Sequence, residues 1–153
     1  MNVIWDLKSF DELSKLELYE VLRLRHEVFV VEQKCYYQDL DYNDMKSYHL
    51  IGRIEDTIIA YTRIFPLKIL FDKYVSFGRV LVAESHRKVG VGHLMLKEIL
   101  HIIESKMGNC PIKISAQTYL LSFYESHGFR VEGEEFMDAG VPHIYMVRES
   151  KRC

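Results

Sequence analysis

The run Arg87-Lys88-Val89-Gly90-Val91-Gly92 has the residue types of an anion cradle. Two glycines let a backbone approach a ligand with no Cβ in the way. Two cations stand beside them. The apolar stretch Val80-Leu81-Val82 precedes the run, and an amphipathic pattern opens at Val91 and continues to about Lys106. Strand, glycine turn and helix, in that order, point several backbone N–H groups at one anion. A phosphate or pyrophosphate is the expected guest.

Three phosphate-binding patterns compete for this turn. A nucleotide P-loop requires Lys-Ser/Thr after its last glycine, whereas Gly92 is followed by His93-Leu94. A dinucleotide turn requires a third glycine early in a βαβ unit; here Met95 takes that place, and the turn comes late, after a hairpin pattern. The third pattern, Arg/Gln-x-x-Gly-x-Gly/Ala between a central strand and a helix, is matched at Arg87, Gly90 and Gly92.

Other polar residues raise separate questions. Leu18, Leu22, Arg25, Phe29 and Glu32 share a face at helical spacing, and an arginine inside an apolar stripe must find an anion. Glu32 is one choice, and the carboxylate of a bound acceptor is another. Arg79, inside an apolar strand, poses the same question. His143 opens a strand after Pro142, where a site could be lined. Arg25, Glu32, Arg79 and His143 are therefore the candidate acceptor-binding residues. For a general base the candidates are Glu32, Asp39, Asp41, His49 and His143. Two metal-like signals fail. His26-Glu27 lacks a second histidine at Val30, and the calcium-like Asp39-x-Asp41-x-Asn43 continues into Asp44 instead of Gly and reaches Leu50 instead of Glu. No metal is expected.

The elements that position these residues are legible in outline. Residues 2–6 read as an edge strand. Ser14 and Glu17 form a capping box that starts a helix from Lys15 to near Val31. Residues 34–47 read as a loop or short helical turns. Strands at His49–Ile54 and Ile58–Phe65 flank Glu55-Asp56-Thr57, and residues 74–82 form a central strand in which Gly78 hints at a bulge. The helix after the glycine turn puts Val91, Met95, Ile99, Ile102 and Ile103 on one face, opposite His93, Lys97, His101 and Glu104. Gly108 stops it. Ile112, Ile114 and Ala116 alternate as in a strand. Thr118 caps a short helix that Gly128 ends, and two strands near 129–137 and 142–148 are joined at Asp138-Ala139-Gly140.

The chain has 153 residues, 48% of them hydrophobic and 27% charged, which suits one α/β domain with a sizeable core. A net charge of −2 argues against nucleic acid or a membrane surface as a bulk electrostatic partner. Cys35, Cys110 and Cys153 form no framework or zinc pattern, and the N-terminus has no signal-peptide pattern. No apolar run approaches membrane-spanning length. A cytoplasmic location is the expectation.

The turn at Arg87–Gly92, followed by Phe123-Tyr124-Glu125-Ser126-His127-Gly128-Phe129, resembles the Gcn5-related N-acetyltransferase (GNAT) superfamily. Residues 24–33 (Leu24-Arg25-His26-Glu27-Val28-Phe29-Val30-Val31-Glu32-Gln33), together with Tyr37–Asp41, Gly78-Arg79-Val80 and Gly140–Ile144, resemble its ElaA-type branch. The resemblance implies a single GNAT-like domain over residues 1–153, with a mixed central sheet flanked by helices. It implies acetyl-coenzyme A as cofactor, with its pyrophosphate on Arg87, Lys88, Val89, Gly90, Val91 and Gly92. Val80, Leu81 and Val82 would also contact it, and an N–H near Val80 or Leu81 would face the developing oxyanion. Gln117 stands where the family often has asparagine and would bond the pantetheine arm. Tyr124 is placed beside the sulfur as the catalytic acid. The proline often found after the central strand is absent from Ala83-Glu84-Ser85.

The implied activity is direct transfer of an acetyl group to the primary amine of a small molecule or peptide. No cysteine in the matched blocks offers a covalent carrier; Cys35 is the nearest challenger. Two rivals remain: an acyl-coenzyme A-binding or partner-binding module without catalysis, and an acyl-homoserine-lactone-synthase-like enzyme. Neither nucleic acid nor membrane is an expected partner. The oligomeric state is open, a homodimer among the options.

Overall fold

A computed structural model describes residues 2–150. The chain divides into two compact units, Met1–Ile64 with Arg79–Ile99, and Phe65–Gly78 with Leu100–Cys153. Its strands form a four-stranded sheet in the order β1-β2-β3-β4 and a three-stranded sheet in the order β5-β7-β6.

In the first unit, β1 (Ile4–Ser9) is the edge strand and pairs antiparallel with β2 (Tyr48–Ile54), which pairs antiparallel with β3 (Thr57–Phe65). Helix α1 (Lys15–Arg25) starts on the expected capping box. Glu17 N–H donates to Ser14 Oγ at 3.0 Å, and Ser14 N–H donates to Glu17 Oε1 at 2.8 Å. Glu17 also accepts from Lys8 Nζ at 2.7 Å and from Arg53. Partial burial alone would raise its carboxyl, but Lys8, the Ser14 N–H and Arg53 together draw it down to about 2.

The α-helix ends at Arg25, and His26–Glu32 continue as a π-helix. The wider winding changes which side chains share a face. The buried stripe is Val21, Leu24, Arg25 and Val28, and the apolar members pack with Ile51, Tyr61 and Leu81. Leu18, Leu22 and Phe29 are half-buried and Glu32 is exposed. The buried face already differs from the expected stripe within the regular helix α1, where Val21 and Leu24 are buried in place of Leu18 and Leu22, with Arg25 common to both. Residues 33–47 contain one 3-10 turn, Asn43–Lys46.

Strand β4 (Ser76–Val82) carries its irregularity one residue beyond the glycine that hinted at it. Arg79 has φ 51°, a left-handed conformation that interrupts the pleat. Helix α2 (Val91–Lys106) has the expected limits, and its five named apolar residues are all buried.

In the second unit, β7 (Val141–Arg148) lies between β5 (Ile112–Gln117) and β6 (Arg130–Asp138), antiparallel to both. Val75 makes a parallel bridge to Ile112. Ala139 and Gly140 have φ 50° and 74°, the two left-handed residues of a tight hairpin. Ile112, Ile114 and Ala116 are buried, so the opposite face of β5 presents Lys113, Ser115 and Gln117. Helix α3 (Leu121–Glu125) follows a 3-10 turn, Thr118–Leu120. Thr118 opens that turn and makes no side-chain cap, because the extra turn moves the α-helical start to Leu121. Phe129 N–H returns to Tyr124 O at 3.2 Å, and the rings of Phe77, Tyr124 and Phe129 pack edge-on or tilted.

Candidate functional site

The glycine turn has the backbone that an anion cradle needs. Lys88 has φ 65° and Gly90 φ 91°, so the chain reverses into α2 at Gly90. Leu94 N–H closes the first helical turn on Gly90 O at 3.1 Å, leaving the N–H groups ahead of it without intrahelical acceptors. A Cβ built on Gly90 meets nothing within 4 Å. Arg87, Lys88, Val89 and Gly90 are all exposed. Arg87 braces the turn: Nε donates to Val82 O at 2.8 Å, Nη1 pairs with Glu32 Oε2 at 2.9 Å and Nη2 donates to Glu32 Oε1 at 3.2 Å. The partner of Glu32 is therefore Arg87, not Arg25.

The anions for Arg25 and Arg79 come from the 33–47 connection. Arg25 is fully buried; its Nε pairs with Asp39 Oδ2 at 2.8 Å and its Nη1 with Asp44 Oδ1 at 2.6 Å. Arg79 Nε pairs with Asp39 Oδ1 at 2.6 Å and Nη2 with Asp41 Oδ2 at 3.6 Å. Arg63 holds Asp41 at 2.6 Å and Asp44 at 3.0 Å. Three arginines from α1, β3 and β4 thus neutralise three aspartates of one loop. Burial would raise Asp41, but Arg63, with the Asn43 N–H and Arg79, holds it far below the usual carboxylate range. His49 is fully buried against the same network. Its Nε2–H donates to Asp44 O at 2.9 Å, and its Nδ1 accepts from the Tyr61 hydroxyl at 2.7 Å. Burial lowers the imidazole's proton affinity despite the Asp44 carbonyl.

In the second unit, Gln117 Oε1 is buried and has no hydrogen-bond partner among the described residues. His143 lies directly across from it on β7. The His143 Nδ1–H donates to Val141 O at 2.7 Å, and its ring stacks on Phe136 of β6. Tyr124 is 4% exposed, and burial raises its phenol well above the usual tyrosine value, so it stays protonated at neutral pH.

Residues 12–150 match the family model for the acetyltransferase (GNAT) domain. The chain is 37% identical to Protein ElaA of Escherichia coli, over 95% of each chain. The crystal structure of E. coli ElaA superposes with a TM-score of 0.89, covering 97% of this chain and 100% of that one. An acyl-CoA N-acyltransferase from Pseudomonas aeruginosa superposes with a TM-score of 0.90 at 34% identity, covering 96% and 99%. The chain belongs to the GNAT acetyltransferase family, in its ElaA-like branch. Its enzymatic class is acyltransferase.

For a GNAT acyltransferase the donor is a coenzyme A thioester, and two observations fit one. The turn has room where a side chain at Gly90 would stand, beside helix N–H groups that have no intrahelical acceptor. The buried Gln117 Oε1 lacks a donor, and a pantetheine amide N–H can supply one. The left-handed Arg79 interrupts β4 immediately before Val80, Leu81 and Val82, where an opened strand was expected; the Val82 carbonyl is engaged by Arg87.

Sequence reasoning did not assign roles to Arg63 or Asp44. An arginine between buried Thr62 and Ile64, downstream of a loop with three aspartates, was the available signal. It also missed that Cys110 is disulfide-bonded, where no disulfide framework was expected; Cys153 lies outside the described residues. Lys113 was likewise unremarked. Its Nζ lies 4.8 to 5.7 Å from the ring centres of Tyr145, Phe71 and Tyr74 and 3.0 Å from Glu132 Oε1, pinning residues 71–74 to β5 and β7. Among the described residues no helix is long and apolar enough to cross a membrane.

Proposed function

We propose that the chain is an acetyl-coenzyme A-dependent N-acetyltransferase that moves the acetyl group directly to a primary amine of a small molecule or peptide. Residues 1–153 act as one N-acetyltransferase domain, in the cytoplasm. The observation that carries the reading is the orphaned Gln117 Oε1, a buried acceptor that a pantetheine N–H satisfies. When bound, acetyl-coenzyme A supplies the acyl group as an activated thioester.

The N–H groups at the start of α2, with Lys88, hold the pyrophosphate, and Gln117 orients the pantetheine arm. Arg87 reaches the phosphate only by exchanging Glu32 for it; otherwise it fixes the turn through the Val82 carbonyl. An N–H of Val80 or Leu81, after the break at Arg79, faces the developing oxyanion. The protonated Tyr124 hydroxyl gives its proton to the departing sulfur. Cys110 is disulfide-bonded and cannot serve as a covalent carrier. Transfer in one complex needs only orientation of the two substrates and proton movement.

The test pairs acetyl-coenzyme A binding by calorimetry with thiol release against spermidine, tyramine, lysine and a tetrapeptide with a free N-terminus. Binding with acetylation of at least one amine is expected. Binding with no amine acetylated refutes the transferase in favour of a binding module. Gly90→Ala, which places a methyl in the open space at the turn, is expected to lose binding. A folded Gly90→Ala that binds as the wild type does refutes the turn as the pyrophosphate site.

A further inference from the structure

We propose that His143 is the general base of the transfer, taking the proton of the acceptor amine on Nε2. The proposal rests on the transferase reading above and adds to it the residue that activates the acceptor.

Amines are mostly protonated at neutral pH, so attack on a thioester requires a group that removes a proton. That group must have a basic atom not already committed. Asp39 accepts from Arg25 and Arg79, and Asp41 accepts from Arg63. Glu32 is paired with Arg87. His49 is fully buried with both ring nitrogens engaged. Each of these four would have to break a bond made in the fold before it could take a proton.

His143 differs from them. A carbonyl can only accept, so the 2.7 Å contact from Nδ1 to Val141 O places the ring proton on Nδ1. The neutral ring then carries its basic lone pair on Nε2, and no described residue pairs with that nitrogen. Stacking on Phe136 holds the ring plane. The imidazole is half-buried, so a ligand can reach it. Its cross-strand neighbours, Gln117 on β5 and Phe136 on β6, are both uncharged. A base fixed in tautomer by a backbone carbonyl is the arrangement that second-shell partners give catalytic histidines.

The placement is chemically apt because Gln117, directly across the strand pair, is the residue whose orphaned oxygen suits the pantetheine arm. The base is thereby set beside the contact that positions the thioester. The protons balance. An alkylammonium acceptor gives one proton to Nε2 and forms its N–C bond as the thioester C–S bond breaks. Tyr124 O–H protonates the departing thiolate. The second surplus amine proton returns to the Tyr124 phenolate, and His143 releases its proton to solvent.

The test uses the full chain. His143→Asn keeps an N–H donor near the Val141 carbonyl and removes the base. With the best amine of the four named above, kcat/KM is expected to fall about 10²-fold. The Kd for acetyl-coenzyme A should stay at the wild-type value. His143→Gly should regain turnover on addition of free imidazole, a result that a purely structural role would not produce. Nitrogen-15 NMR of the wild type should show the Nδ1–H tautomer. Wild-type turnover in His143→Asn, or an Nε2–H tautomer, overturns the role of His143 and leaves the transferase standing. A wild type that binds acetyl-coenzyme A and acetylates none of the amines overturns the transferase reading and this role with it.

Discussion

Replacing Arg25 by methionine tests the ionic network under the acceptor-side loop. Methionine keeps an apolar chain of similar length against the Tyr61 ring while removing the guanidinium. Arg25 is fully buried, and its loss deletes the 2.8 Å pair to Asp39 and the 2.6 Å pair to Asp44. Breaking a buried pair from one side typically costs about 3–5 kcal/mol, because the abandoned charge stays out of water. Here each aspartate keeps one arginine, Asp39 through Arg79 at 2.6 Å and Asp44 through Arg63 at 3.0 Å. The expected loss therefore sits at the low end, about 3 kcal/mol. For a chain of this length that lowers Tm by roughly 6–12 °C. Urea unfolding followed by the fluorescence of the single tryptophan, Trp5, measures it. The double variant Arg25→Met with Asp44→Asn should lose less than the sum of the single changes, by about 1–3 kcal/mol, since it removes both ends of one pair. A loss below about 1 kcal/mol for Arg25→Met, the value of a solvent-exposed pair, would refute the reasoning.

Other changes separate stability from catalysis. Gln117→Leu removes a buried acceptor that has no partner, so free-protein stability should hold or rise by about 1 kcal/mol while acetyl-coenzyme A binds roughly fivefold more weakly; a stability loss with unchanged affinity contradicts the assignment. Tyr124→Phe should lower kcat about 10²-fold with the acetyl-coenzyme A Kd unchanged, and unaltered turnover would end its role as the acid. Glu17→Gln tests linkage. The folded carboxyl lies at about 2, below its ordinary 4.5, so its stabilisation is complete above pH 4.5 and is lost as pH falls through about 2. Acid titration of stability should accordingly be flatter across that window in the variant, and identical slopes would show that Lys8 and Arg53 do not act through this carboxylate.

The glycine turn, the capping box, helix α2 and the inward alternation of β5 could all be determined from the sequence, because each is local. Ser14 and Glu17 are three residues apart, the apolar face of α2 repeats at helical period, and the reversal at Gly90 needs only the neighbouring residues. The π-helical winding at His26–Glu32 was not legible, since periodicity assumes a regular helix and the wider turns carried Glu32 off the face it was assigned. Tertiary structure alone decided the partners of the charges. Arg25 finds Asp39 and Asp44, fourteen and nineteen residues away, and Glu32 finds Arg87, fifty-five residues away. Ion pairs at such separation depend on which elements meet, and no spacing rule encodes that. The same holds for chemistry at the acceptor. Five residues read equally well as the base until folding bound four of them to arginines, a tyrosine and a carbonyl. It left His143 with a fixed Nδ1 proton and a basic Nε2.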